Sequence, residues 1–134
     1  MVRANIKKVF YCDKDRLWDI IINNYNYSWR SDISKIEVID EEHFIEYTKN
    51  NYPTKFTITS KIKLEKYEFD LENSNIKGKW TGLFREVSDG KIELDFTEEI
   101  EVKNFLMKLL TKLYLKSQQK RYMKDLESEV NRKL

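Results

Sequence analysis

The sequence predicts an α+β fold: a seven-stranded antiparallel sheet covered on one face by a long C-terminal helix. Two observations carry this. Residues 53 to 102 alternate apolar with polar side chains between short turns, the period-two pattern of strands with one wet and one dry face. From Asn104 to Leu134 the period changes, and Leu106, Leu110, Tyr114, Gln118, Tyr122, Leu126 and Val130 recur every four residues, as on one stripe of a helix.

Val2 to Tyr11 reads as the first strand, with either Ile6 and Phe10 or Val9 and Tyr11 inward; Ile6 is taken as the inward residue. Asp13 then caps a short helix whose stripe is Leu17, Trp18, Ile20, Ile21 and Ile22, with Asp15 near its positive end. Tyr25 to Asp32, aromatic but rich in Asn and Ser, suits a second brief helical turn anchored by Trp29. Ile33 to Ile39 and His43 to Lys49 form a hairpin across Asp40-Glu41-Glu42, and Asn50 to Pro53 turns the chain into the main sheet.

The dry face of that sheet carries Phe56, Ile58, Ser60, Ile62 and Leu64, then Tyr67, Phe69 and Leu71. It continues through Ile76, Gly78, Trp80, Gly82 and Phe84 to Ile92, Leu94, Phe96, Glu98 and Ile100. Residues paired across an antiparallel turn have a constant sum of positions, which tests the assignment. A turn at Glu72 to Asn75 faces Leu71 with Ile76, Phe69 with Gly78 and Tyr67 with Trp80. A turn over Ser88-Asp89-Gly90 faces Phe84 with Leu94, Gly82 with Phe96 and Trp80 with Glu98. A turn near Asn50 to Pro53 faces Tyr47 with Phe56 and Ile45 with Ile58. Gly78 and Gly82 flank Trp80 on the inward side, which leaves either an open volume or room that the Trp80 ring folds over and fills.

On the last helix, Phe105, Leu109 and Leu113 widen the apolar stripe, and Lys108, Lys112, Lys116, Lys120 and Lys124 form a row opposite it, read as a solvated face. With 134 residues the chain has the size of one domain, 1–134. Its 25 Lys and Arg against 23 Asp and Glu leave a net charge of +2, which selects neither nucleic acid nor an anionic membrane as partner. No apolar run approaches the roughly 20 residues that cross a bilayer, so no integral membrane association is expected. The lone Cys12 permits no internal disulfide, and the first residues form no signal-peptide core, which points to the cytoplasm. One cysteine and one histidine, His43, build no metal site and would form a nucleophile pair only if the fold happened to juxtapose them, so a buried thiol and a surface histidine, with no metal and no cofactor, are expected.

Element order, Leu17-Trp18-Asp19 in the first helix, Trp29 before the second strand, the stretch from Tyr67-Glu68-Phe69-Asp70 to Gly78-Lys79-Trp80-Thr81-Gly82, and Met123-Lys124-Asp125-Leu126-Glu127 together give a pattern across the whole chain. It resembles the helix-grip fold of the START and Bet v 1-like (SRPBCC) superfamily, in particular its bacterial polyketide cyclase and lipid-transport branch. The resemblance implies a curved sheet wrapped around the C-terminal helix, with a cavity between them that in relatives holds lipids, sterols, polyketides or hormones. Asp40-Glu41-Glu42 stands where plant pathogenesis-related members carry a glycine-rich loop, so their phosphate site is not expected.

The pattern breaks most usefully at Glu98, a carboxylate on the dry face between Phe96 and Ile100. Facing inward, it would have a raised pKa and, with Tyr47, Ser60 or Gln118, hold the polar end of a ligand or move a proton. A bulge near Thr97, or a lysine partner at the cavity mouth, would remove that role. The leading reading is a non-catalytic binder or transporter of a hydrophobic small molecule, walled by Phe56, Ile58, Phe69, Trp80, Phe84, Phe96, Leu109 and Leu113. A cyclase or dehydratase using Glu98 is the second reading. A protein-interaction module like the relatives that activate a heat-shock chaperone is the third. Monomer and homodimer both fit the sequence.

Overall fold

Strand β1 (Val2–Tyr11) leads into helix α1 (Lys14–Ile22), then β2 (Ile33–Val38), β3 (His43–Thr48), β4 (Pro53–Ile62), β5 (Lys66–Glu72), β6 (Lys77–Ser88) and β7 (Lys91–Glu101). Helix α2 (Phe105–Asn131) closes the chain. The computed structural model describes residues 1–102 and 104–132, so the last two residues of the expected helix lie outside the described residues. The seven strands form one antiparallel sheet in the order β1-β7-β6-β5-β4-β3-β2. In β1 the even positions face inward: Val2, Ala4 and Phe10 are buried and Ile6 packs against the core, while Tyr11 is exposed.

The second short helix does not form. Asn23 Oδ1 accepts from the Tyr25 amide, the Asn26 amide donates to the Asn23 carbonyl, and the Arg30 amide donates to the Tyr27 carbonyl. These local bonds replace a helical ladder with two turns, the competition that Asn and Ser side chains offer in short segments. The segment is fixed by tertiary contacts instead. Ser31 donates both its amide and its hydroxyl to Asp125 on α2, at 2.8 and 2.7 Å, and the Trp29 ring meets Tyr122 edge-on at 5.3 Å.

The hairpin from β6 to β7 has the expected register, with Phe84 opposite Leu94, Gly82 opposite Phe96 and Trp80 opposite Glu98. The hairpin from β5 to β6 is displaced by two residues, pairing Leu71 with Gly78, Phe69 with Trp80 and Tyr67 with Gly82, because its turn runs from Asn73 to Ile76. An even displacement keeps every side chain on its expected face. An odd one does not. Asn51 takes φ 63° and the Thr48 and Asn51 amides close a tight turn, so Phe44 opposes Phe56 and Tyr47 opposes Pro53. Phe44 and Glu46 therefore point inward, and Tyr47 points outward, where Lys35 Nζ lies 4.6 Å from its ring centre.

A bulge in β4 makes a further correction. Ile58 pairs with Phe69 but Ser60 pairs with Glu68, so Thr59 is the additional residue and the inward alternation fails at Ser60 and Ile62, while Leu64, at φ 65°, packs against the core as expected. Thr59 donates to Glu68, Ser60 shares that wet side, and Ile62 is exposed.

Trp80 folds over Gly82: a Cβ there would sit 2.7 Å from Trp80 Cη2. Gly78 lies against the Glu99 carbonyl oxygen and 2.5 Å from Ile100 Cδ1, measured from an added Cβ. The glycines admit neighbouring atoms and contribute no open volume. Gly78→Ala should cost about 1 to 3 kcal/mol, the usual range for overpacking. A urea midpoint indistinguishable from wild type would contradict that close approach.

Helix α2 packs on β1 and α1 through Leu115, Gln119, Met123, Leu126 and Val130, a row that follows the 3.6-residue pitch better than a strict four-residue step. Gln119 Nε2 donates to the Ala4 carbonyl at 2.9 Å, tying the helix to the edge strand. Arg16 from α1 donates to the carbonyls of Glu129, Val130 and Arg132, satisfying the C-terminal end of α2.

The first turns of α2 are uncovered. Phe105, Leu109 and Leu113 are 84, 54 and 60 % exposed. The expected lining role of Leu109 and Leu113 is therefore corrected, because α2 meets β1 and α1 only farther along its length. Substituting serine at both positions should change stability by less than about 1 kcal/mol, each being a surface change. A loss above 3 kcal/mol in chemical denaturation would show that a contact covers them.

Candidate functional site

A cavity of about 210 Å³ lies between the concave sheet face and α2. Its apolar wall includes Phe44, Phe56, Tyr67, Phe69, Leu71, Trp80, Phe96 and Ile100 from the strands, with Tyr114, Leu115 and Tyr122 from α2. Gln118 and Gln119 also reach it, and Arg30, Asp32, Glu46 and Glu98 gather its polar groups. Of the residues expected to form the wall, Phe56, Phe69, Trp80, Phe96 and Glu98 border this space.

The others lie elsewhere for identifiable reasons. Phe84 is buried beneath Trp18 of α1, ring centres 5.0 Å apart, which removes it from the cavity. Ile58 keeps its inward side opposite Phe69 and packs against the core, but it borders a separate groove beside the end of α1 and the β2–β3 turn, as does Ser60, which the β4 bulge turns to the wet side. Tyr47 is on the outer face of β3, and Leu109 and Leu113 are exposed on α2.

Aromatic rings pack on one another along most of the wall. Phe44 stacks on Phe56 at 4.8 Å, and Phe69 stacks on Trp80 at 4.7 Å. Trp80, Phe96 and Tyr122 then form a triangle of tilted rings, with centres 4.5, 4.8 and 6.3 Å apart. Such offset and edge contacts stabilise by about 0.5 to 1.5 kcal/mol each beyond their buried area.

Arg30, Asp32 and Glu46 form an ion-pair cluster that sequence pattern did not disclose. Arg30 Nε and Nη2 donate to the two Asp32 oxygens at 3.0 Å, and Nη1 and Nη2 donate to the two Glu46 oxygens at 3.2 Å. The guanidinium also lies 5.1 Å from the Tyr122 ring centre and 5.8 Å from that of Trp29. Burial disfavours its charge, but Glu46 and Asp32 outweigh that and hold Arg30 firmly protonated. Burial likewise acts to raise the Asp32 pKa, yet the Arg30 hydrogen bonds, assisted by Arg121, keep it below the usual carboxylate range. The sequence signal that would have found Glu46 is Asn50-Asn51: an Asn pair suits a tight turn with φ above zero, and the shorter turn reverses the faces of β3.

Glu98 differs from these carboxylates. Its neighbours in the sheet are Ala4 and Trp80, and it projects into the cavity with no bulge at Thr97. Burial pushes its carboxyl up to about 7, the negative charge of Glu46 adds to the rise, Arg30 opposes it, and Asp32 adds again. No hydrogen bond to a described residue contributes to that balance. Burial also raises the Tyr122 phenol, with Arg30 opposing. The arrangement can place one proton-exchanging carboxyl among aromatic surfaces, beside an arginine already engaged by two carboxylates.

Comparison with known proteins bears on the fold. A START superfamily protein from Mycobacterium smegmatis superposes with a TM-score of 0.86 at 11 % identity, covering 96 % of each chain. A conserved protein from Geobacillus kaustophilus gives 0.83 at 12 % identity, covering 96 % of this chain and 95 % of that one. A protein from Chromobacterium violaceum gives 0.78 at 10 % identity, covering 98 % of each. No curated protein matches the sequence. The sheet order and the long terminal helix are those of the START/Bet v 1-like helix-grip fold. A family profile matches residues 4–117, and the chain belongs to that family, described as a domain of unknown function, DUF3284.

Proposed function

We propose that this protein binds a small, largely apolar molecule between its sheet and α2, with the molecule's polar group set against Glu98. The observation that carries this reading is the cavity of about 210 Å³, bordered by aromatic rings and one carboxyl that lacks a hydrogen-bonded neighbour among the described residues. At roughly 30 Å³ per water molecule it has room for about seven waters, which suits a one-ring compound. Single-domain organisation over residues 1–134 and a cytoplasmic setting belong to the same proposal, supported by one contiguous core and an unpaired Cys12.

The test uses indole and benzyl alcohol as neutral one-ring probes, read by isothermal titration calorimetry and by thermal shift. Both should bind the wild type and raise its melting temperature. Leu115→Trp, which places a ring into the cavity from α2, should abolish both effects. Absence of binding by both probes would overturn the reading.

A second reading, proton transfer on a carbonyl-bearing substrate, is favoured by one observation: a Glu98 pKa of about 7 suits a general acid or base near neutrality. Under it, Glu98→Gln would abolish turnover of a polyketide-like or steroid-like substrate and spare binding. Full activity in that variant would reject it.

A further inference from the structure

We propose that the cavity discriminates by the charge of the head group, accepting a compact one-ring amine as its ammonium ion and rejecting the matching carboxylate; this rests on the binding reading above. Five charged or titratable groups gather at the polar end. They are Arg30 and Asp32 from the segment before β2, Glu46 from β3, Glu98 from β7 and Tyr122 from α2, with Arg121 behind Asp32. Against two guanidinium groups stand three carboxylates, so with Glu98 ionised the cluster carries a formal excess of one negative charge.

Arg30 is poorly placed to receive an anion. Four of its five N–H groups donate to Asp32 and Glu46, and its guanidinium is stacked near Tyr122 and Trp29. A ligand carboxylate at this end would meet Glu46, Asp32 and Glu98 with at most one remaining donor from Arg30, a like-charge arrangement of high cost in a poorly solvated space. An ammonium group reverses each term. It brings three donors to the Glu98 carboxylate, neutralises the excess charge, and meets the triangle of Trp80, Phe96 and Tyr122, whose π-systems attract cations. The volume of about 210 Å³ suits a remainder of about one ring.

Binding of an ammonium ion selects ionised Glu98, so it should release a proton at pH values below about 7. Affinity for the amine should then weaken as pH falls, approaching tenfold per unit, while affinity for a neutral probe should stay level.

The test is calorimetric titration with benzylamine, benzyl alcohol and benzoate, which share one ring and differ in head group. At pH 8, benzylamine should bind at least tenfold tighter than benzyl alcohol, and benzoate should bind more weakly than either. Glu98→Gln should reduce benzylamine to the level of the alcohol. Should that variant fail to fold, the pH dependence of wild-type benzylamine affinity decides. Benzoate or benzyl alcohol binding as tightly as benzylamine, an undiminished amine preference in Glu98→Gln, or a flat pH profile would overturn the charge preference and leave the binding reading standing. Failure of all three probes to bind would overturn both.

Discussion

Replacing Arg30 with methionine should lower the unfolding free energy by about 3 to 5 kcal/mol, the range for removing one partner of a buried ion pair. The reason is what stays behind. Asp32 and Glu46 now receive four hydrogen bonds from the guanidinium, and without it two poorly solvated carboxylates would face each other. Urea denaturation at pH 7 measures the loss. A companion variant tests the cause: adding Asp32→Asn and Glu46→Gln to Arg30→Met should recover a substantial part of it, since neutral groups need no counter-charge. A single-variant loss under 1 kcal/mol, or no recovery in the triple variant, would count against a cluster held by buried charge.

Glu98→Gln should gain stability relative to wild type as pH rises. In the unfolded chain Glu98 titrates near 4.5, whereas in the folded protein burial and the Glu46 charge raise it to about 7. Between those values the folded state retains a proton that the unfolded state has lost. Wild-type stability from this group is therefore fully present below about 4.5 and is lost as pH rises through about 7. The shift corresponds to about 3 kcal/mol at 1.36 kcal/mol per unit, as an order of magnitude. Glutamine has no such titration. Denaturation of both proteins from pH 4.5 to 8 should show the difference widening in favour of the variant. Parallel pH profiles would mean that folding does not raise the Glu98 pKa.

Glu98 is legible in the sequence because it interrupts a long alternation with the β6–β7 register fixed around the short turn at Gly90. Arg30, Asp32 and Glu46 are not. Arg30 and Asp32 sit in a segment without period, whose position depends on Ser31 reaching Asp125 and Trp29 reaching Tyr122 on an element more than ninety residues away. Glu46 lies in a strand with apolar residues on both parities, Phe44 on one and Ile45 and Tyr47 on the other, so composition could not choose the buried face. The turn geometry at Asn51 chose it. Likewise, Ser60 lost its inward position to a bulge that leaves no mark in the alternation of β4.

By itself the sequence determined the α+β class, the seven strands and the aromatic side of β5, β6 and β7, because side-chain periodicity and turn chemistry are local properties, whereas the β1–β7 pairing that sets the sheet order is long-range. Only the tertiary structure decided which parity of β3 is buried, where the cavity opens, and that the apolar residues at the start of α2 remain uncovered. A repeating apolar stripe specifies a surface that can be buried. Whether another surface meets it depends on long-range register and on where a helix crosses its sheet.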